Sequence, residues 1–501
     1  MLFRRMKGVH APHRKHTADL AAVRMPVPPT VTIPLSMHIG APAVPVVKPG
    51  DVVKVGQLIA EAGGFVSAPI HSSVSGTVKA LDTLPLSNGR TSVAVTIETD
   101  GEQTVWEGIK KPDVSDYDGF IAAVRASGAV GLGGAGFPTA VKLAVKGKDL
   151  EAVIVNGAEC EPYITSDTRT MLDDVDALLD GLSLLDTYLH PRRLIVAVEK
   201  NKPECLRRLR EAAPARVEIA ALPTLYPQGG EKVLIYHTIG RVVPEGKLPI
   251  DVGAVVINCT TLAFLSHYVE TGMPLVEKCV TVDGGAVREP KNVLAPIGAS
   301  MQSLFDFCGG FVCDPYKVLY GGPMMGVAVP STDLPVMKNT NAVLALTEAE
   351  APDREPTPCI RCGNCVSHCP LRLNPQAVAS AYKAKDDKAL AALKINLCME
   401  CGCCSFICPA KRPLVQTNKL AKARLAAYQK AEKDRKEKEA QAQKEKEEKE
   451  KQAAAPQTPA PPAPETPAQT AAETSAAPAT PPAPEAAAPA PHAAEASAVP
   501  H

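Results

Sequence analysis

The feature that most constrains this chain is a twelve-residue cysteine pattern that occurs twice. It reads CIRCGNCVSHCP at 359–370 and CMECGCCSFICP at 398–409. Both copies follow C-x2-C-x2-C-x3-C-P, a spacing that lets a tight loop place three thiolates around a four-iron cubane. A structural zinc site more often uses two short cysteine pairs that are set well apart. The repeat therefore predicts two 4Fe-4S clusters, with zinc sites as the alternative.

The prolines predict how the two motifs share their ligands. In two-cluster ferredoxins the fourth cysteine of each run ligates the other cluster, because the chain turns away at the proline. Cys403 has no counterpart in the first copy, and we interpret it as a thiol beside the second cluster. The predicted metal ligands are Cys359, Cys362, Cys365 and Cys408 for the first cluster and Cys398, Cys401, Cys404 and Cys369 for the second.

Composition and the chain start favour a cytoplasmic protein with reduced cysteines. Nine of its fifteen cysteines lie between Cys359 and Cys408, and no stretch approaches the roughly 18 apolar residues of a spanning helix. Lys+Arg and Asp+Glu both number 54, so charge does not point to nucleic acid as a partner. The basic start contains His10, His13 and His16, which we interpret as a solvated terminus rather than a metal site.

The apolar pattern changes along the chain and predicts a multidomain α/β protein. Short strands and glycine turns within 1–110 look like the barrel-sandwich fold of lipoyl carriers, although the turn GGFVSAPIH lacks the lysine that such carriers modify. Apolar strands alternate with amphipathic helices over 111–272, which is typical of a parallel sheet. The further predicted parts are a small β domain at 273–345, the cysteine domain at 346–416, a charged helix at 417–452 and a disordered Ala/Pro-rich tail at 453–501.

A glycine-rich stretch, SGAVGLGGAGFPTAVKL at 127–143, is the candidate for a flavin or nucleotide site. Glycines let a backbone approach a ligand closely, and the amides of a helix start attract phosphate. The stretch is not a Walker motif, because it lacks Gly-Lys-Ser/Thr. An ordinary turn is therefore the alternative.

Three further segments change the interpretation of this stretch. They are VNGAECEPYITSDTR at 155–169, YPQGGEKVLIYHTIGR at 226–241 and VINCTTL at 256–262. Together with the glycines they resemble the NADH- and FMN-binding flavoprotein subunit of respiratory complex I. With the β domain before them and the double cysteine motif after them, the chain is identified as a member of the C-subunit family of the Rnf (Rsx) electron-transport complex, over about residues 5–415.

The resemblance implies cofactors and site residues. The cofactors are FMN, NADH and two 4Fe-4S clusters, and the domain at 273–345 is implied to be β-grasp-like. Lys142 would lie near phosphate, Asn258 at the isoalloxazine edge and Phe137 against adenine. The implied cofactor-binding residues are Gly131, Gly133, Gly134, Gly136, Phe137, Lys142, Asn156, Glu159, Glu161, Gly229, Gly230, Glu231 and Asn258.

The function that the resemblance implies is that of an NADH-linked oxidoreductase subunit in an ion-translocating, translocase-type complex. A flavin accepts a hydride pair and releases single electrons, so no catalytic acid or base is needed. The implied partners are NAD(H), other subunits of a membrane complex and, indirectly, ferredoxin. The chain would associate with the cytoplasmic face of the inner membrane through those subunits.

Two alternatives stay open at this point. A microcompartment cobalamin reductase would have the same cofactor layout. An electron-relay scaffold without nucleotide activity is the other, because Ala158, Leu132 and Ile257 replace the Asp, Arg and Asn of the complex I pattern.

Overall fold

Four sheets and the helices between them build the part of the chain that the structure describes. This computed structural model describes residues 7–87 and 89–453, so residues 454–501 of the predicted disordered tail lie outside the described residues. No helix within these ranges is both long and apolar enough to cross a membrane. The predicted multidomain α/β fold is confirmed.

The first domain is the predicted barrel-sandwich, in which two small antiparallel sheets enclose one core. Ile33, Ile59, Ile70 and Ile97 are fully buried in this core, as expected when alternate side chains of each strand face inward. The strands are β1 Val23–Arg24, β2 Thr30–Pro34, β3 Val44–Pro45, β4 Val52–Val53, β5 Leu58–Glu61, β6 Ile70–His71, β7 Gly76–Pro85 and β8 Thr91–Thr99. The sheet orders are β2-β8-β7-β4 and β3-β5-β6, whereas β1 joins a later sheet.

The second domain is the predicted parallel sheet with helices on its faces. Its four strands are all parallel, in the order β11-β10-β9-β12. Near-continuous apolar runs form these strands because both faces of the sheet are covered. The elements are α1 Tyr117–Ala126, α2 Thr139–Leu143, β9 Ala152–Gly157, α3 Ser166–Asp173, α4 Val175–Leu189, β10 Arg193–Glu199, α5 Pro203–Ala212, β11 Val217–Leu222, α6 Glu231–Ile239, β12 Ala254–Asn258 and α7 Cys259–Thr271, with a 3₁₀ turn at Pro249–Val252.

The third domain is a mixed sheet that packs on a single short helix. Phe305 of this helix is fully buried against the sheet. The elements are β13 Glu277–Asp283, β14 Lys291–Pro296, α8 Met301–Phe307, β15 Lys317–Tyr320, β16 Val327–Ala328 and β17 Ala342–Leu346. The order is β1-β14-β13-β17-β15-β16, so the first strand of the chain completes this sheet.

The cysteine domain repeats one local structure. Gly363 and Gly402 stand at the same place in the two motifs with φ of 76° and 80°, a conformation that favours glycine, and a one-turn helix follows each. The elements are α9 Asn364–Ser367, α10 Pro375–Lys383, α11 Asp387–Ala392, α12 Cys403–Phe406 and α13 Leu414–Ala453, with a 3₁₀ turn at Ile395–Leu397. The sequence repeat is therefore also a structural repeat.

Residues from Asp434 onward form a separate unit. Its described part is the predicted charged helix, which ends at Ala453. Gln443 donates to Glu447 at 3.1 Å and Arg435 lies 3.9 Å from Glu439. Such pairs at four-residue spacing stabilise an exposed helix.

The basic segment near the chain start is not a solvated terminus, so that prediction was wrong. Residues 7–18, here called the strap, run across three domains. Val9 pairs with Tyr226 through two backbone hydrogen bonds of 2.8 and 3.0 Å. His16 contacts Asp283 at 3.1 Å and the Lys7 ammonium donates to the Val366 carbonyl at 3.4 Å.

The centre of the strap is Lys15. Its ammonium donates to the carbonyl oxygens of Glu159 at 2.9 Å and Glu161 at 2.8 Å, and also to that of Ile164. Only 14% of the side chain is exposed, and burial lowers the pKa of Lys15 to about 8. The sequence predicted a solvated terminus because the strap has few apolar residues. Its polar contacts leave no periodic pattern in the sequence.

Replacing Lys15 by Met should lower the free energy of unfolding by about 2 to 4 kcal/mol, because buried carbonyl oxygens lose their donor. Thermal unfolding followed by circular dichroism measures the change. Lys146→Met is the matched control, since Lys146 pairs with Asp118 at an exposed position, and it should leave Tm unchanged. If Lys15→Met and Lys146→Met have the same Tm as the parent, the Lys15 contacts of the strap do not stabilise the fold.

Candidate functional site

The carboxyl ends of β9 and β12 form the topological switch point of the parallel sheet, and the space outside these strand ends is here called the crevice. The chain adds β10 and β11 on one side of β9 and β12 on the other. Ligands of open parallel sheets bind outside the strand ends at such a switch point. Asn156 and Asn258, both predicted site residues, pair in register at these two strand ends. The fold therefore brings them together at the mouth of one crevice.

The structure accounts for two departures from the complex I pattern, Ile257 and Leu132. Ile257 is 3% exposed and packs in the core between the sheet and its helices. Leu132, another departure, is also buried and its N–H donates to the Thr261 hydroxyl at 3.0 Å. Both positions face the interior here, so apolar side chains suit them.

The predicted glycine stretch forms a loop beside this crevice, residues 128–138, here called the glycine loop. The Gly131 N–H donates to the Phe137 carbonyl at 2.9 Å and closes the loop. A Cβ on Gly133 would collide with the Asn258 amide. Gly136 has φ of 68°, which favours glycine. The loop thus leaves its backbone open beside the strand ends, as close approach of a flat ligand requires.

A half-exposed ion pair lies at the same crevice. The Lys142 ammonium donates to Glu231 at 2.8 Å and to the Val256 carbonyl at 3.0 Å. The side chains are 31% and 39% exposed, so both charges are open to a ligand. An ammonium there can meet a phosphate, and a carboxylate can accept hydrogen bonds from ribose hydroxyls. Because α2 has only five residues, its amides add little attraction for phosphate.

The second predicted glycine pair borders the crevice from the other side. The Asn156 side chain donates to the Gly229 carbonyl at 2.9 Å. Gly230 precedes α6, whose first residue is Glu231. The structure therefore gathers Asn156, Gly229, Gly230 and Glu231 with Asn258 and the glycine loop.

Glu159 uses its carboxylate inside the protein. The carboxylate accepts hydrogen bonds from the N–H groups of Asp167 at 2.6 Å and Thr168 at 3.2 Å, in the first turn of α3. The residue is 9% exposed, and burial raises the pKa of its carboxyl group. Glu159 thus anchors the start of a helix, and its contact with a nucleotide stays a prediction.

Glu161 joins the second domain to the third. Its Oε1 accepts the N–H groups of Met324 at 3.0 Å and Met325 at 2.7 Å. Its Oε2 is buried without a hydrogen-bond partner among the described residues. Burial raises the pKa of Glu161 to about 7. This carboxyl group is an interdomain contact, and its role toward the nucleotide also stays a prediction.

The sequence analysis missed Asp167, which holds Asn258 in place. Asp167 accepts the Asn258 amide N–H at 2.8 Å and the Thr260 hydroxyl at 2.7 Å. Asn258 in turn accepts the Thr261 N–H at 3.1 Å and caps α7. The first contact spans 91 residues, so no local spacing could have revealed it.

The eight predicted cluster cysteines line two cavities in crossed sets. Within the described ranges no three His, Cys, Asp or Glu side chains converge on a point as the ligands of a single metal ion would. Four thiols around one cavity instead fit the donor set of an iron-sulfur cluster. The first cavity is lined by Cys359, Cys362, Cys365 and Cys408, and the second by Cys369, Cys398, Cys401 and Cys404.

The second cavity lies against the parallel-sheet domain. The Tyr226 hydroxyl donates to the Cys401 carbonyl at 2.7 Å, and Met399 packs onto Gly230 and Tyr226. Cys403 is fully buried, borders this cavity and places its thiol 3.8 Å from the Tyr226 carbonyl oxygen. The segment 226–230 therefore contacts Asn156 at the crevice and also residues that line the second cavity.

The first cavity faces outward. Cys359 and Cys362 are exposed, whereas Cys369, Cys404 and Cys408 are buried. Ile360 between the exposed cysteines is 68% exposed. The second cavity thus lies against the parallel-sheet domain and the first opens to the surface.

Four protein families match the chain in the order that these domains follow. The matches are the RnfC barrel sandwich hybrid domain at 3–102, the Nuo51 FMN-binding domain at 124–267, the SLBB domain at 279–328 and the 4Fe-4S dicluster domain at 358–412. The cofactor types that these descriptions name, FMN and paired 4Fe-4S clusters, agree with the glycine loop and the two cavities.

Whole proteins of one family also match. The C subunit of the proton-translocating ferredoxin:NAD(+) oxidoreductase complex of Clostridium ljungdahlii is 43% identical over 381 residues, which are 74% of this chain and 83% of that protein. The chain belongs to this C-subunit family. The Na(+)-translocating counterpart from Acetobacterium woodii is 43% identical over 379 residues, covering 74% of this chain and 86% of that protein. The counterpart from the ion-translocating oxidoreductase complex of Rhodobacter capsulatus is 39% identical over 431 residues, covering 84% and 83%.

In this C-subunit protein, Cys369→Ser should remove the cluster of the second cavity alone. Iron should fall from about eight to about four atoms per chain, and one of two reduced paramagnetic signals should disappear. Cys403→Ser is the matched control, because Cys403 borders the same cavity outside the spaced set, and it should keep the full iron content. Loss of the first-motif signal instead would mean that each motif ligates its own cluster, and stoichiometric zinc without visible absorption would exclude clusters.

Proposed function

We propose that this chain passes electrons between NADH and ferredoxin-linked carriers, as a subunit of a complex that couples the transfer to ion translocation. The observation that carries the proposal is the segment 226–230, which contacts both Asn156 at the crevice and residues that line the second cavity. It places the crevice beside the second cysteine cavity through Tyr226, Cys401 and Met399. A two-electron site and a one-electron site would thus lie next to each other. The relatives from Clostridium ljungdahlii and Acetobacterium woodii are subunits of ferredoxin:NAD(+) oxidoreductase complexes, which supports the same reaction.

The residues of the crevice have positioning roles. Bound FMN would supply hydride acceptance and single-electron release, and the clusters would supply one-electron transfer. Lys142 offers its ammonium to a phosphate, and Asp167 orients the Asn258 amide at the crevice mouth. Asn156 holds the Gly229 carbonyl. No side chain is assigned as a general acid or base.

The assignment of individual residues is part of the proposal. The flavin and nucleotide residues are those predicted from the resemblance, with Glu159 and Glu161 the least direct, because their carboxylates serve α3 and the third domain. The cluster ligands are the two crossed cysteine sets. The exposed thiols of Cys359 and Cys362 make the first cavity the side on which another carrier would exchange electrons.

Partners and location follow the same family. We propose that the chain binds other subunits of a membrane complex and is held by them at the cytoplasmic face of the inner membrane. We also propose the domain limits 1–110, 111–272, 273–345, 346–416 and 417–452, followed by the tail 453–501. Family membership favours the complex subunit over a cobalamin reductase. An electron-relay scaffold differs from it in one measurable property, the absence of NADH oxidation.

The purified protein should bind one FMN non-covalently, because the proposed contacts are the backbone of the glycine loop and the side-chain amides of Asn156 and Asn258, which form hydrogen bonds and no covalent bond to a flavin. Heat or acid should release free flavin. NADH should bleach the flavin and reduce an artificial acceptor. Flavin that stays bound to the denatured chain would count against the proposed non-covalent site. Flavin-loaded protein that NADH cannot bleach would favour the electron-relay scaffold.

Glu231→Gln should weaken the use of NADH by roughly tenfold to a hundredfold, the equivalent of one or two hydrogen bonds to ribose hydroxyls. It should also reduce the preference over NADPH, since a carboxylate repels a 2′-phosphate. Steady-state kinetics with both nucleotides measure this. Flavin and iron contents should not change.

Two further variants sharpen this test. Glu161→Gln reports on the second predicted carboxylate. Glu211→Gln is the matched control, because Glu211 pairs with Arg207 on the exposed face of α5, and it should behave as the parent. Parental NADH kinetics in both Glu231→Gln and Glu161→Gln would show that the nucleotide binds elsewhere.

A further inference from the structure

The glycine loop is held by residues of its own domain and by residues of two other domains. On its inner side the Leu132 N–H bonds to Thr261, and Asn258 packs against Gly133. On its outer side the Ile39 N–H, from the barrel-sandwich, donates to the Gly136 carbonyl at 3.1 Å. The outermost residues 133–135 are exposed, so few packing contacts hold that part of the loop.

A turn of the third domain supplies two more of these bonds. The Asn339 side chain donates to the Gly134 carbonyl at 2.9 Å. The Lys338 ammonium donates to the Gly128 carbonyl at 2.8 Å and to the Pro69 carbonyl at 2.6 Å. The turn that carries Lys338 and Asn339 therefore binds the glycine loop at Gly128 and Gly134. It also contacts the barrel-sandwich at Pro69.

The turn itself is rigidly built. The Met337 N–H donates to the Thr340 hydroxyl at 2.8 Å and to the Tyr320 hydroxyl at 3.3 Å, and the Thr340 N–H returns to the Met337 carbonyl at 3.0 Å. Lys338 is completely buried, and burial lowers its pKa to about 7. A buried amine needs hydrogen-bond partners. Lys338 is therefore held in one position by its two acceptors and is not a mobile surface group.

We propose that Lys338 and Asn339 are positioning residues of the flavin site, through which the third domain fixes the glycine loop in its binding conformation. This inference rests on the proposed binding of FMN at that loop. Five glycines make the loop flexible, and ordering such a backbone opposes binding. A loop already held in place binds its ligand more tightly because less ordering remains to be done.

The test measures the affinity for FMN in the full-length protein. Flavin-free protein is titrated with FMN and the quenching of flavin fluorescence gives Kd. Asn339→Ala should raise Kd about five- to tenfold, as expected for one lost hydrogen bond. Asn339→Asp should raise it further, because a carboxylate would then face the Gly134 carbonyl oxygen. Tm and iron content should equal those of the parent.

Gln302→Ala is the matched control. Gln302 lies in the same domain. Among the described residues its side-chain amide forms hydrogen bonds only with Asp306 and Thr332. The Kd of the Gln302→Ala variant for FMN should therefore equal that of the parent. Excess FMN should restore the parental rate of NADH oxidation in Asn339→Ala, which a merely structural defect would not allow. Lys338→Met should weaken FMN binding too, but it also removes a buried contact, so the Asn339 variants decide the question.

The outcomes separate this inference from the proposed function. Parental Kd values in both Asn339 variants would overturn the positioning role while leaving the flavin site intact. A rate that stays low at saturating FMN would likewise overturn it, since the defect would then follow binding. A parent protein that binds no FMN would overturn the flavin site and this inference together.

Discussion

The contact on which much of the structure depends is the buried ammonium group of Lys15. It satisfies carbonyl oxygens of the loop between β9 and α3, which carries Glu159 and Glu161. Lys202 adds a second buried ammonium that donates to the Ala158 carbonyl at 2.5 Å. Polar backbone groups of a buried loop need such partners. Two lysines thus allow an irregular loop to lie inside the protein, where its carboxylates organise α3 and the third domain.

This buried loop explains how separate domains form one site. Glu161 reaches the third domain, Tyr226 reaches the cysteine domain, and the strap crosses all of them. The parallel-sheet domain that carries the crevice is therefore bonded to the third domain, the cysteine domain and the strap. The geometry of the crevice depends on interdomain contacts as much as on the parallel sheet that forms its floor.

The sequence predicted the elements whose signals are local. Alternating apolar strands and helices predicted β9 to β12, and the cysteine spacing predicted two equivalent loops, which Gly363 and Gly402 bear out. Asn156 and Asn258 were predicted from the resemblance, and the structure places them at the ends of two neighbouring parallel strands. The ligand roles of individual residues stay predictions.

What the sequence could not predict depends on contacts between distant residues. The bond from Asn339 to Gly134 spans 205 residues and that from Lys15 to Glu159 spans 144. A short basic segment without apolar periodicity looks like a solvated terminus, although its ammonium groups can replace water for buried carbonyls. The sequence also could not predict which donors the Glu159 carboxylate contacts. Backbone N–H groups at a helix start and ribose hydroxyls are both hydrogen-bond donors, so either could be its partner.

The crossed arrangement of the cysteines has a consequence for biosynthesis. As the chain leaves the ribosome, the first motif emerges with only three of the thiols that line its cavity. The second cavity gains its last cysteine at Cys404 and the first cavity at Cys408, four residues later. Neither cavity is complete while only the first motif has been made. Crossed ligand sets therefore mean that neither cluster could be completed before the second motif has been synthesised, and a chain that ends before Cys404 would hold only incomplete sets of thiols.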